Sequence, residues 1–254
     1  MPRKPRIEIS GYYHIVNRGV EQRIIYKEHK DYEYFIELLR KGTKEFQINL
    51  HNYCLMSNHY HLLIEINKQN LSKFMRYVNL QYALYFNKKY KRLGHLWQGR
   101  FKSYYVADEA YLYALVRYVE YNALKIRKVK QLEDYLYSSY RHLVDTKLPP
   151  FLQYSWIRQQ YEKREDLKVF FTIPADEDDL RKLRTTTNLL EVPAKKEALD
   201  EKKLIKLFKK FKNTEERNNQ ILQAYQEGYS QYKIAKVIGI SQPAVNGVMK
   251  RSKD

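Results

Sequence analysis

Residues 54–65 read CLMSNHYHLLIE, an apolar run interrupted by Ser57-Asn58 and then by two histidines one residue apart. The interruption reads as a tight connection between two strands, 48–57 (INLHNYCLMS) and 59–66 (HYHLLIEI). In an extended strand residues i and i+2 share a face, so His59 and His61 project together while Tyr60 and Leu62 point the other way. Two adjacent imidazoles are a candidate pair of metal ligands. Two histidines on a wet sheet face have the same spacing, and the spacing alone leaves both readings open.

Outward from this hairpin the pattern is regular. YYHIVNRG (12–19) reads as a strand closing on a glycine, and DYEYFIELLRKGTKEF (31–46) carries Tyr34, Phe35, Leu38 and Leu39 at helical spacing. LSKFMRYVNLQYALYFNKKY (71–90) is a second helix. KRLGHLWQGRFKSYYVAD (91–108) is a basic, glycine-punctuated loop feeding a short strand, and EAYLYALVRYVEYNALK (109–125) is a third helix. The order β-α-β-β-α-β-α predicts an α+β fold, an antiparallel sheet with helices on one side.

The chain has 254 residues, 44% hydrophobic, and a net charge of +18. Residues 1–150 hold 26 Lys and Arg against 14 Asp and Glu, a net +12, so the excess belongs mainly to the main domain. Many positive charges near one another gain by displacing counterions from phosphates, which points to a polyanion partner. The 25 tyrosines, interleaved with Lys and Arg, suit single-stranded nucleic acid, where bases stack on rings and phosphates meet cations. Many of the same rings serve equally well in a core with a wet hydroxyl. The single cysteine, Cys54, excludes an intramolecular disulfide and a cysteine-based zinc site; within a strand it is a small buried hydrophobe. No apolar run approaches a membrane span and no charged segment leads into an apolar one, so the expected location is the cytoplasm.

On the third helix Leu112, Leu115, Val116 and Val119 form the buried stripe at 100° per residue. Tyr118 and Asn122 lie one above the other at its edge, Tyr111 shares that flank, and Tyr121 points away from the core toward solvent. Geometry leaves Tyr118 and Tyr111 both as candidate nucleophiles. In the basic loop Lys91, Arg92, Arg100 and Lys102 can meet phosphates, and Trp97 either stacks on an unpaired base or is buried as a structural ring.

After Pro149-Pro150 the pattern weakens. Residues 151–205 read as a charged, partly helical linker, and 206–254 as a separate all-α unit. Within it, helical segments are divided by Gly228 and Gly239, with Ser230 and Ser241 at N-cap positions. Ile234, Ala235, Ile238, Ile240, Val245 and Val248 can pack the angle of a helix-turn-helix. Gln242, Asn246 and Lys250 of the last helix are then candidates for duplex contact; a small three-helix packing domain fits the same pattern.

Taken together, YHIVNRG, NYCLMSNHYHLLIE, GHLWQGRFKS, LVRYVEYN and DYLYSSY resemble, in order and approximate spacing, the IS200-type transposases and more closely the REP-associated tyrosine transposases. The resemblance covers about residues 8–145. It implies an HUH endonuclease-like core over 1–150 that binds single-stranded DNA hairpins and cuts and rejoins a strand through a 5′-phosphotyrosine. It implies Tyr118 as the nucleophile in place of Tyr111 or Tyr121, and His59, His61 and Asn122 as ligands of a divalent metal, Mg²⁺ or Mn²⁺, with histidine suiting Mn²⁺ better. Ala123 stands where the family usually has proline, which would let the third helix run on past Asn122, and Tyr137 stands where tryptophan is common. The expected partners are a DNA hairpin at the core and duplex at the C-terminal unit, with no membrane and with room for a homodimer. Two alternatives use the same residues: a DNA-binding regulator without catalysis, and a nuclease that activates water.

Overall fold

The computed structural model describes residues 8–106, 110–173, 201–208, 211, 213–227, 229 and 231–251. Residues 8–106 and 111–173 make one unit and 201–251 a second.

In the first unit the expected order is the observed one: β1 (Gly11–Arg18), α1 (His29–Phe46), β2 (Asn49–Met56), β3 (His59–Ile66), α2 (Leu71–Lys89), β4 (Lys102–Val106) and α3 (Ala110–Tyr121). The four strands form one antiparallel sheet in the order β2-β3-β1-β4. Ser57-Asn58 is the two-residue connection of the β2–β3 hairpin, which pairs Met56 with His59. A bulge at His51 shifts the register between Leu50 and Asn52.

Alternation along the strands sorts the side chains into two faces. Tyr13 and Ile15 of β1, Tyr53 and Leu55 of β2, and Tyr60, Leu62 and Ile64 of β3 pack against Phe35 and Leu39 of α1 and Phe74, Val78 and Tyr82 of α2. Burying each large apolar side chain contributes roughly 1.5–3 kcal/mol, so this face contributes heavily to the stability. Gly42 lets the two helices approach, since a β-carbon there would lie 2.8 Å from the Phe74 ring.

The opposite face carries His14, Cys54, His61 and Leu63, and α3 covers it, with the Asn52 amide donating to the Val116 carbonyl at 3.1 Å. The expectation of helices on one side is therefore corrected: α1 and α2 lie on one face and α3 on the other. The reason is on β3 and β2, where Leu63 and Cys54 are fully buried on the second face and need a layer of their own. Leu112, Leu115, Val116 and Val119 supply it.

Residues expected to be linker extend this layer. The short helices α4 (Tyr140–Leu143), α5 (Trp156–Gln160) and α6 (Arg164–Thr172) follow. Tyr113 of α3 packs on Trp156 at 4.6 Å between ring centroids, and the Arg117 guanidinium lies 4.7 Å over the Phe170 ring. Tyr121 is half-buried and its hydroxyl donates to the Phe171 carbonyl at 2.5 Å, so it does not face solvent as the helical count alone suggests. The part of the expected linker over 174–200 lies outside the described residues.

The second unit comprises α7 (Glu201–Leu207), α8 (Thr214–Gln226), α9 (Gln231–Ile238) and α10 (Gln242–Arg251). Leu204 and Phe208 join Ile221, Ile234, Ala235, Val245 and Val248 in its core, with Ile238 and Ile240 packed against it. The unit thus begins before residue 206. Gly239 turns the chain between α9 and α10 at φ +69°, a region glycine enters without steric cost, and Ser241 Oγ accepts from the Ala244 N–H at 3.3 Å as an N-cap. Ser230 and the side chains of Gln242, Asn246 and Lys250 lie outside the described residues. Among those described, no helix is long and apolar enough to cross a membrane.

Candidate active site

The face beneath α3 opens at one end into a cleft of about 790 Å³. Strand alternation builds it. His14, Val16 and Arg18 of β1, His59 and His61 of β3, and Lys102 and Tyr104 of β4 all line it, because each set is spaced by two. Tyr118 enters from α3, and Gln98, Gly99 and Arg100 of the basic loop form part of the rim. Arg18 Nε donates to Gln98 Oε1, tying the strand end to the loop.

Tyr118 stands edge-on to two imidazoles. Its ring centroid is 5.6 Å from that of His61, with planes at 90°, and 5.8 Å from that of His14, with planes at 84°. His59 and His61 have centroids 5.1 Å apart, so the pair expected to share a face does share it. Tyr111, the other candidate nucleophile, does not line the cleft.

Burial keeps the imidazoles neutral. Desolvation pulls His14 down to about 3 and His61 well below its ordinary value; His59 falls to about 4 through burial and the nearby Lys125 and Arg18 cations. Neutral imidazole is the form that ligates a metal. His59 Nδ1 lies 2.7 Å from Asn58 Oδ1 and His61 Nδ1 lies 2.9 Å from His14 Nε2, while neither His59 Nε2 nor His61 Nε2 has a hydrogen-bond partner among the described residues. This donor set fits a divalent cation on its two histidines. Among the described residues no three His, Cys, Asp or Glu side chains converge on one point.

Asn122 is fully buried at the end of α3. Its Nδ2 donates to the Tyr118 carbonyl at 2.8 Å and its Oδ1 accepts from Lys125 Nζ at 2.7 Å. The α-helix ends at Tyr121 and the chain tightens into a 3₁₀ turn over Ala123–Lys125; with alanine in place of proline the helical course continues for that one turn only. The turn brings the Lys125 ammonium to 5.0 Å from the Tyr118 ring centroid.

The basic loop divides. Arg100 and Lys102 reach the cleft, whereas Lys91 and Arg92 do not line it; Arg92 lies over Phe86 and bonds Asn87. Trp97 packs edge-on against Tyr60 at 5.6 Å, and its indole N–H donates to the Asn79 carbonyl at 2.9 Å. Of the two readings of Trp97, these contacts favour the structural one.

Three contributors escape a reading of the sequence by motif. His14 sits one strand away from the histidine pair, and its signal is its parity with Val16 and Arg18. Lys125 is placed by the 3₁₀ turn. Glu120 follows Val116 by one turn on the buried stripe, an improbable place for a carboxylate unless it is bonded. It is bonded: it accepts from Ser139 Oγ, from the Tyr140 N–H at 3.1 Å and from Asn52 Nδ2 at 3.3 Å. Through it α3 is pinned to β2 and to the SSY segment.

Burial raises the Glu120 carboxyl from 4.5 to about 7, against the hydrogen bonds that lower it. The folded state thus favours the protonated form, so this contribution is complete below about pH 4.5 and is lost as pH rises through 7. The loss amounts to about 3 kcal/mol at most. Glu120→Gln removes the titration. Unfolding free energies measured at pH 5 and pH 8 should therefore fall more steeply with pH for the wild type than for the variant; parallel curves would contradict the assignment.

The family profile described as "Transposase IS200 like" matches residues 9–122, the span from just before β1 to Asn122. A Haemophilus influenzae protein named "Putative REP-associated tyrosine transposase" is 29% identical over 109 residues, 38% of this chain and 61% of that protein. The matched region thus spans about three-fifths of the curated relative's length. A structure of a REP-associated tyrosine transposase bound to a REP hairpin shares the fold, with a TM-score of 0.50 at 19% identity, over 59% of this chain and 90% of the other. The sheet order, the paired histidines and the tyrosine helix all fall within residues 9–122, the part of this chain that matches the IS200-like transposase profile.

Proposed function

We propose that the chain is a DNA strand-transfer enzyme that cuts and rejoins single-stranded, hairpin-bearing DNA through a 5′-phosphotyrosine on Tyr118. The observation that carries this reading is the approach of Tyr118 to His61 and His14 in a cleft rimmed by Arg18, Arg100 and Lys102. His59 and His61 would hold a divalent cation, with Asn122 a further donor once its oxygen exchanges Lys125. When bound, the cation supplies Lewis-acid polarisation of the scissile phosphate. Arg18, Arg100 and Lys102 bind the flanking phosphates and align the strand. Tyr118 Oη attacks phosphorus as its proton departs; the bond to the 3′-oxygen breaks, and that oxygen leaves as a 3′-hydroxyl. Lys125 lies where its charge favours the phenolate. The phosphotyrosine conserves the bond energy, so a returning 3′-hydroxyl rejoins the strand without ATP.

A hairpin oligonucleotide labelled on the 3′ side of the cut tests this. Covalent adduct supports the proposal; cleavage without adduct indicates a nuclease using water; binding alone indicates a DNA-binding regulator built on a transposase core. Replacing Arg100 and Lys102 by alanine should weaken binding and flatten the salt dependence of log K by about 1.4, two phosphates at roughly 0.7 each. An unchanged slope would remove them from the interface.

The C-terminal unit is proposed as a helix-turn-helix that binds duplex through α10 and tethers the core near its target, raising its local concentration. A chain ending near residue 173 should still cut a free hairpin and lose affinity for duplex flanking it. Equal affinity of both chains for the flanked hairpin would argue for another role, self-association among them.

A further inference from the structure

We propose that Asn58 and His14 are positioning residues that hold His59 and His61 in the same tautomer, with hydrogen on Nδ1 and the lone pair of Nε2 presented to the cleft. The inference deepens the metal reading above and rests on it for its functional meaning.

The argument begins at the β2–β3 turn. The Asn58 amide is oriented by its own bond, Nδ2 donating to the Gln22 carbonyl at 3.1 Å, so Oδ1 is the atom that meets His59 Nδ1 at 2.7 Å. A carbonyl oxygen only accepts. His59 Nδ1 must therefore carry the hydrogen, and in the neutral ring Nε2 keeps its lone pair.

His61 meets the same arrangement from a different element. Its Nδ1 faces His14 Nε2 at 2.9 Å across the sheet, with the ring planes within 15° of each other and both side chains buried. One ring must donate and the other accept. If His61 donates, its Nε2 is left as a lone pair toward the cleft, matching His59. If His14 donates, the His61 hydrogen sits on Nε2 and blocks the nitrogen that would ligate. Only the first direction gives the two histidines equivalent donor atoms, and it leaves the His14 Nδ1–H as a spare donor on a ring that lines the cleft. Partners that hold the second nitrogen of a ligating histidine typically contribute 10–100-fold to metal affinity.

The test is made on the full-length, metal-free protein by nitrogen NMR of the imidazoles. Both His59 and His61 are expected as the Nδ1–H tautomer in the wild type. In His14→Phe, His61 should lose that preference while His59 keeps it; in Asn58→Ala the effect should reverse. His14→Gln and Asn58→Asp each keep an accepting oxygen and should restore the wild-type tautomer, which separates positioning from general loss of packing. Titration with Mn²⁺, followed by the resonance of the free ion, should show about 10–100-fold weaker binding for His14→Phe and Asn58→Ala, and binding within about threefold of wild type for His14→Gln. An Nε2–H tautomer at His61 in the wild type overturns the proposal for His14, and unchanged tautomers in both truncated variants overturn it altogether. If the wild type shows the expected tautomers but binds no Mn²⁺, the metal reading fails and the tautomer assignment stands.

Discussion

Tyr118→Phe is expected to form no covalent adduct with a hairpin oligonucleotide while binding it about as well as the wild type. The change removes one oxygen from a ring whose edge-on contacts with His14 and His61 are preserved, so the cleft and its charges remain. A loss of at least about 10³-fold, roughly 4 kcal/mol of transition-state stabilisation, is the minimum for removing the attacking atom. Tyr111→Phe should keep the adduct, since that ring does not line the cleft. Tyr121→Phe should keep it too, at a cost of about 1 kcal/mol in stability for the lost bond to the Phe171 carbonyl. Denaturing gel electrophoresis of labelled DNA reads all three; an adduct on the Tyr118→Phe protein would place the nucleophile elsewhere.

The second large effect is expected at the histidines. His59→Ala and His61→Ala should each reduce cleavage by roughly 10³-fold, as several kcal/mol of charge stabilisation at the phosphate are withdrawn, and EDTA should reproduce the loss in the wild type. Mn²⁺ should restore activity after EDTA at least as well as Mg²⁺, because imidazole suits the softer ion. Neither alanine variant should lower hairpin affinity comparably, since Arg18, Arg100 and Lys102 still line the cleft. Full cleavage in EDTA would end the metal reading and leave the cationic side chains to stabilise the phosphate alone.

Much of this site is legible in the sequence because short-range geometry governs it. Strand alternation places His59 and His61 on one face whatever the rest of the fold does, and helical spacing places Tyr118 beside Asn122 one turn later. The element order follows from runs whose periodicity is local, and the β2–β3 hairpin from two residues at its turn. The sequence leaves Tyr111 and Tyr118 equivalent on their helix; the ordered motifs of the family separate them, and of the two it is Tyr118 that lines the cleft beside the histidines.

The sequence by itself determined the α+β order, the shared face of the two histidines and the stripe edge carrying Tyr118, because a period of two or of 3.6 residues needs no distant partner. Tertiary structure alone decided the rest. That α3 covers the face opposite α1 and α2 depends on Leu63 and Cys54 needing a second layer. That His14 meets His61 depends on the β1–β3 register, in which residues 47 apart become neighbours. That Glu120 is tolerated in the interior depends on donors from Asn52 and the 139–140 segment, each far from it in sequence or on another element. And Tyr121 is drawn out of solvent by α6, fifty residues later. A helical wheel knows one helix; burial and hydrogen-bond satisfaction are set by whatever the folded chain packs against it.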